Sequence, residues 1–435
     1  MLLVLRTSWP LLLGIMLLMV GNGMQGTLLG VRGGIEGFSA SQMSLVTSAY
    51  FLGFLFGSRA TPGLIRSVGH VRVFAALGSL ISAVLILFAA APDWMIWTGM
   101  RVLMGFAFAG VYITAESWLN NASTNETRGQ ALSLYMIMIM TGIIAAQGMM
   151  NLGDPSGYIL FVIPSVLVSL SFTPILLTAS QAPAFELTKP LSIRDLYVAS
   201  PLGCIGMFLI GGVFSAQFGM AAVWGSEVGL SVRDISIFIA AIYVGGLVLQ
   251  YPIGWFSDRM DRRVLIFALA AAGGFVTFVP AFLDPGFVLL VIVGFGIGGI
   301  SNPLYSLILA YVNDYLDTAD MPAASAGLVF INGLGAVGGP LLTGWMMDTL
   351  GPAAFFLFMC LLFVALAGYA AWRMTQRAAP TPDETGGYTV LVPSASAFAV
   401  EAALEAAADD AGAEAHGPDW ADRDATDPGD EEDAF

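Results

Sequence analysis

The stretch Gly254-Trp255-Phe256-Ser257-Asp258-Arg259-Met260-Asp261-Arg262-Arg263 lies directly behind a long apolar run, and a degenerate copy of it stands 191 residues earlier. The earlier copy reads Gly63-Leu64-Ile65-Arg66-Ser67-Val68-Gly69-His70-Val71-Arg72 and also follows an apolar run. A second pair of matches, Gly105-Phe106-Ala107-Phe108-Ala109-Gly110 and Gly294-Phe295-Gly296-Ile297-Gly298-Gly299, is offset by 189 residues. Two matches at nearly one offset, each in the equivalent apolar run, mark a duplicated unit.

The runs themselves set the fold class. The chain is 57% apolar and only 11% charged, with a mean hydropathy of +0.80, whereas a soluble domain carries about a quarter of its residues charged. A helix needs about 20 apolar residues to cross a bilayer core. Apolar runs of that kind are expected at 9–30, 42–64, 71–91, 95–119, 129–150, 157–178, 201–227, 233–256, 264–283, 286–311, 323–346 and 353–373. The expected fold is therefore an all-α integral membrane protein of twelve transmembrane helices, in two pseudo-symmetric six-helix bundles. The bundles would occupy residues 1–178 and 201–377, joined by a linker at 179–200 that holds Pro183 and Pro190. Breaks such as Ala91-Pro92-Asp93, Gly153-Asp154-Pro155 and Asp284-Pro285-Gly286 carry turn chemistry and are short, so neighbouring helices should be antiparallel.

Charge gives the orientation. Arg6, Arg59, Arg66, Arg72, Arg128, Lys189, Arg194, Arg259, Arg262, Arg263, Arg373 and Arg377 fall on one side of this topology, and Arg32 and Arg233 on the other. Basic residues stay cytoplasmic, so both termini are expected there, in a bacterial inner membrane. Trp9, Trp94, Trp97, Trp118, Trp224 and Trp372 fall near run ends, where headgroup-level rings belong. The first run lacks a cleavage site and reads as a permanent helix. The net charge of −15 belongs to residues 378–435, which hold fifteen of the 31 acids and one base, Arg423. That segment reads as a solvated, largely disordered acidic tail with a short helix near 395–410. Cys204 and Cys360 lie in apolar runs and read as buried thiols.

The Gly254–Arg263 stretch resembles the cytoplasmic signature of the major facilitator superfamily, with Phe256 and Asp261 as departures, and the resemblance covers about residues 5–375. Ala115-Glu116-Ser117-Trp118-Leu119-Asn120 looks like the YcaD-like bacterial branch of it. The resemblance implies a secondary transporter working by alternating access. It also implies a cytoplasmic gate at Gly254, Asp258, Arg259, Arg262 and Arg263, in which Asp258 engages a helix of the other half. In the first copy Arg66 takes the acidic position.

Ionisable groups inside a span are costly and mark function by default. Arg101 and Glu116 stand in the fourth run, and Arg101-Val102-Leu103-Met104-Gly105 resembles the family's Arg-x-x-x-Gly motif, which implies proton coupling or substrate orientation. Arg101, Gly105, Phe108, Tyr112 and Glu116 recur at helical spacing along one face. Arg101 alternatively snorkels outward, and Glu116 pairs with an interfacial Arg. Uncharged polar residues cluster in runs one, four, seven and ten: Asn22 and Gln25, Tyr112 and Thr114, Ser215 and Gln217, then Ser301, Asn302, Tyr305 and Ser306. Asn22, Gln25, Tyr112, Gln217, Ser301, Asn302 and Tyr305 are candidate substrate-cavity residues, each equally able to serve as an interhelical hydrogen bond. Asn302-Pro303 should interrupt run ten, and Glu227 should sit in solvated interface. The Gly335–Gly344 stretch reads as close helix packing.

No His-rich cluster, catalytic pair or phosphate-binding Gly-rich loop is present; His70 reads as a loop residue. The chain is thus expected to act without a cofactor, nucleic acid or enzymatic step, as a monomer in lipid with a small-molecule substrate and protons as partners. Efflux of an amphipathic solute leads, with uptake of a small polar metabolite, or a non-transporting sensor or scaffold, as alternatives.

Overall fold

The computed structural model describes residues 2–121, 123–174, 193–316 and 320–376, together with Tyr388, Val390, Leu391, Ala399, Val400 and Ala403. Most of the expected 179–200 linker and of the acidic tail lies outside the described residues. Among the described residues the regular structure is helical, with no strand. In chain order the α-helices are α1 (Leu2–Ile35), α2 (Ala40–Val68), α3 (His70–Ala90), α4 (Trp94–Asn121), α5 (Asn125–Met149), α6 (Ile159–Ser171) and α7 (Ile193–Ala199). They continue with α8 (Pro201–Ser215), α9 (Ala221–Glu227), α10 (Val232–Ser257), α11 (Arg262–Phe282), α12 (Phe287–Asn313), α13 (Met321–Leu350) and α14 (Ala354–Met374). Ten helical segments are long and apolar enough to cross a membrane, counted among the described residues. Helix α2 is 29 residues long but falls outside that count on composition, and α6 on length.

Local chemistry starts and stops these helices where the turns were expected. Ser39 caps α2 by accepting from the Gln42 amide, while its own amide donates to the Gln42 side chain, which satisfies two donors left open at a helix start. Asp93 accepts from the amides of Met95 and Ile96 at the start of α4. Gly69, at φ 86°, turns α2 into α3 in a single residue, a conformation that only glycine adopts without steric cost. His70 consequently opens α3 instead of lying in a loop; its Nε2 is 2.9 Å from the Ser117 hydroxyl and the side chain is buried.

The duplicated Gly-rich stretches do the same work twice. On α2 and α4, the Gly57 Cα faces the Phe106 carbonyl and Gly105 faces the Tyr50 carbonyl, with no room for a side chain. On α10 and α12, Gly245 faces the Phe295 carbonyl and Gly298 the Ile242 carbonyl. These crossings bring backbone against backbone, which is how helices gain dispersion contact where lipid removes the hydrophobic drive. Helices α1–α6 pack chiefly among themselves, as do α8–α14.

Two expectations change in the second group. Helix α12 runs unbroken through Pro303, because proline removes only one backbone donor and a membrane helix tolerates that loss when neighbours cover it. The irregularity falls instead between α8 and α9, where Ala216–Met220 forms a π-helical turn. Of the tail, the described residues Leu391, Ala399, Val400 and Ala403 are buried, and the last three are helical within the stretch near 395–410 where a short helix is expected.

Gly298→Val drives a branched side chain into the Ile242 carbonyl, whereas Gly63→Ala adds a methyl where nothing lies within 4 Å. The first should cost about 1–3 kcal/mol of overpacking strain and lower the melting temperature in detergent; the second should leave it unchanged or raised.

Candidate functional site

Asn22 and Gln25 stand three residues apart on α1, hence on one helix face. The Gln25 amide donates to Asn22 Oδ1 at 3.3 Å, and Asn22 Nδ2 donates to the Tyr112 hydroxyl at 3.2 Å. The Tyr50 hydroxyl of α2 reaches the same Asn22 Oδ1 at 3.5 Å. Arg101 completes the cluster. Its Nη1 donates to Gln25 Oε1 at 2.6 Å, its Nε to the Val46 carbonyl at 3.4 Å, and its guanidinium lies 4.6 Å from the centre of the Tyr50 ring. Arg101 is only 2% exposed, so it turns inward and does not snorkel. Among the described residues it forms no ion pair. A desolvated cation is expensive without an anion; here an amide oxygen, a carbonyl and an aromatic face share its charge.

Glu116 is buried on the same face of α4 about four turns on, about 22 Å from Arg101 at 1.5 Å rise per residue, and accepts from the Tyr135 hydroxyl at 2.9 Å. Between them Phe108 and Tyr112 lie with ring centres 6.3 Å apart. The expected stripe on α4 is therefore continuous and inward-facing.

The second group contributes less uniformly. Gln217 sits in the π-helical turn and exchanges hydrogen bonds with the Ser301 hydroxyl of α12, at 3.0 and 3.3 Å. A π turn widens the helix by one residue and commonly marks functional positions; here it aims Gln217 at α12. Asn302 packs against Gly246 of α10 and donates to the Gly298 carbonyl at 3.1 Å. Its Oδ1 and the hydroxyl of fully buried Tyr305 have no hydrogen-bond partner among the described residues. Thr114 and Ser215 bond carbonyls of their own helices. Glu227 is exposed at the end of α9. Where the groups meet, the Tyr50 and Phe218 rings lie 5.8 Å apart, flanked by Phe51, Phe54 and Phe214.

One end of the assembly is clamped. Asp348 of α13 accepts from the amides of Ala40 and Ser41, at 3.1 and 3.0 Å, so a carboxylate occupies the positive end of the α2 dipole. The seam continues through Gly344 against Ser44, the Ser48 hydroxyl on the Val337 carbonyl at 2.6 Å, and Gly333 against Leu55, ending at the Arg59 guanidinium over Phe330. Gly30 and Gly34 of α1 meet Ala222 and Ser226 at the same end.

At the opposite end the Gly254–Arg263 stretch forms clips within the second group. Arg262 pairs with Asp314 at 2.5 Å and with Asp258 at 3.7 Å, and also donates to the Ala310 carbonyl. Arg263 pairs with Asp261, which caps α11. Partial burial pushes the Asp261 carboxyl up, but the Arg263 hydrogen bonds outweigh it and hold the group below the usual carboxylate range. The clip therefore stabilises the fold above that range and is lost as pH falls through the depressed value. Arg259 stacks on Trp255. Asp258 Oδ1 accepts from the Tyr388 amide at 2.9 Å.

Tyr50, Asp314, Asp348, Tyr388 and the π turn carried no signal in composition or motif. Tyr50 and Asp348 look like an ordinary aromatic and an ordinary run-end acid until the groups are brought together. The Gly335–Gly344 stretch does pack helices closely, against both α8 and α2.

The family described as Major Facilitator Superfamily matches residues 11–198 and 203–405. An uncharacterised MFS-type transporter of Bacillus subtilis, YfkF, is 24% identical over 80% of this chain and 91% of its own length. YcaD of Salmonella arizonae, likewise an uncharacterised MFS-type transporter, is 24% identical over 80% of this chain and 90% of its own length. Among solved structures, the nucleoside transporter NupG superposes with a TM-score of 0.68 at 15% identity, over 85% of this chain and 99% of its own.

Gln25→Leu should remove the shortest acceptor of a buried guanidinium and destabilise the protein by about 1.5–3 kcal/mol, read as a lower denaturation midpoint. Gln25→Glu supplies a charged acceptor at the same place and should restore it.

Proposed function

Because this chain belongs to the major facilitator superfamily, we propose that it moves a small solute across a bacterial inner membrane by alternating access. On this reading α2 and α6 join the ten long apolar segments as spans, giving twelve, and residues 1–178 and 201–377 are the two moving halves joined by 179–200. The arginine-rich end that holds Asp258 is cytoplasmic, together with both termini and the 378–435 tail. The clamped Asp348 end then faces outward, and the conformation described is the inward-facing one.

The observation that carries the reading is the buried polar line from Arg101 through Gln25, Asn22 and Tyr112, which meets the second group at Tyr50 and Phe218. Neutral hydrogen-bonding groups around one unpaired cation suit a site that must bind and release. Gln217 and Ser301 supply its far wall, and Asn302 and Tyr305 stand behind that wall. Arg101 and Glu116 are the ion-coupling pair, acting at separate levels of α4, with protons as the coupling ion. Gly254, Asp258, Arg259, Arg262 and Arg263 form the cytoplasmic gate.

The aromatic ring of Phe51, Phe54, Phe214 and Phe218 around Tyr50 favours an amphipathic solute, and with it efflux. The unpartnered Tyr305 hydroxyl and Asn302 carbonyl favour the second reading, uptake of a small polar metabolite that would supply their missing bonds. The protein acts as a monomer in either case.

The test is flux of an amphipathic dye in proteoliposomes under an imposed pH gradient. Wild-type protein should move dye in the presence of the gradient, and Arg101→Lys should slow it by on the order of tenfold, because an ammonium cannot hold Gln25, Val46 and the Tyr50 face together. Full activity with an unchanged pH profile in Arg101→Lys would remove Arg101 from the coupling step.

A further inference from the structure

The cleft between α10 and α12 at the Asp258 end holds a short piece of the chain's own tail, and the contacts are specific. The Tyr388 ring lies over Gly254 so closely that a Cβ there would fall 2.6 Å from the ring. The Tyr388 hydroxyl accepts from Gln250 Nε2 at 3.0 Å and donates to the Pro303 carbonyl at 3.5 Å. Three residues on, both backbone groups of Leu391 use one hydroxyl: the Leu391 amide donates to Ser306 Oγ at 3.0 Å, and the hydroxyl donates to the Leu391 carbonyl at 2.9 Å. Gln250 and Ser306 are buried and also bond each other at 3.0 Å. Leu391 is 1% exposed, and Ala399, Val400 and Ala403 are 0–2% exposed.

These features fit a built receptor for an extended segment. Two buried polar side chains, Gln250 and Ser306, and the Asp258 carboxylate direct their groups at the backbone and phenol of that segment. A glycine leaves space for its aromatic ring.

We infer that the tail, through Tyr388 and Leu391, is a tethered occupant of this cleft and holds the transporter in the conformation described here. The Tyr388 amide takes Asp258 Oδ1, and the ring covers Gly254. Any movement that brings Asp258 onto the first half must first expel Tyr388. Docked tail and engaged gate are therefore mutually exclusive, and tail release licenses closure at this end. The docking rests on the contacts alone; its effect on conformation rests on the alternating-access reading.

The test uses the full-length chain in nanodiscs. In wild-type protein, hydrogen exchange at the amides of Tyr388 and Leu391 should be slowed at least about tenfold relative to an unstructured chain, as expected for groups bonded in a closed state. Leu391→Asp, which puts a charge into a dry contact, should abolish that protection. It should also shift the distance between spin labels at Val68 and Met260 to shorter values, while Tyr388→Phe, which lacks only the hydroxyl, shifts it less. Unprotected wild-type amides overturn the docking. Protection lost in Leu391→Asp without any change in the Val68–Met260 distance overturns the tail's control of conformation. Neither exchange result depends on flux, so the failure of transport itself would be recognised separately in proteoliposomes.

Discussion

The carboxylate of Asp348 on the first turn of α2 is the contact from which the arrangement of the two helix groups follows. It joins an acid at the end of α13 to two open backbone donors and a favourable dipole in the other group. Glycines then carry the seam inward: Gly344 and Gly333 on α13 and Gly30 on α1 each leave space for a neighbour from the other group. On the alternating-access reading proposed above, this charge-capped, glycine-lined seam is where the outer end would open. Gln250, Gly254, Asp258, Pro303 and Ser306 meet the tail at the opposite end. The molecule is thus tied at one end and filled by its own chain at the other.

Between the two ends, the burial cost of polar groups shapes the interior. In a bilayer each such group must find a partner within the protein. Most do so locally, as Thr114, Ser215 and Thr343 bond the carbonyls one turn back. Arg101 does so by recruiting two neighbouring helices: Gln25 of α1, and Val46 and Tyr50 of α2. A cation held by neutral partners remains responsive to an arriving anion or to a lost proton nearby, which a saturated ion pair such as Arg262–Asp314 is not. That contrast separates the paired arginines Arg262 and Arg263 from Arg101.

The helices were legible because bilayer length and turn chemistry leave little freedom: ranges such as 201–227 and 264–283 fall within two residues of the observed ends at Pro201–Glu227 and Arg262–Phe282. Arg101, Gln25, Asn22 and Tyr112 were legible as a group since polar residues on symmetry-related apolar helices stand out. Their mutual bonds were not, because Tyr50 gives no sign of its role until α2 lies across α4. The place of the Asn302 amide was not legible either, because it depends on Gly246 of the neighbouring helix leaving room for it. Helical spacing gives a face only to within a residue or two, and the π turn at Ala216–Met220 shifts the register further. The docking of Tyr388 and Leu391 was not legible for a different reason: two residues carry no pattern within a segment that holds fifteen acids.

The central claim is that the two ends open in alternation. Spin labels at Ile35 and Val228 report the Asp348 end, and labels at Val68 and Met260 report the Asp258 end; all four side chains are exposed. Distance distributions should be recorded for both pairs across a pH series in nanodiscs. The account predicts reciprocal change, with the Val68–Met260 distance shortening in the same conditions that lengthen Ile35–Val228. Distances that stay fixed, or that lengthen together, would contradict it.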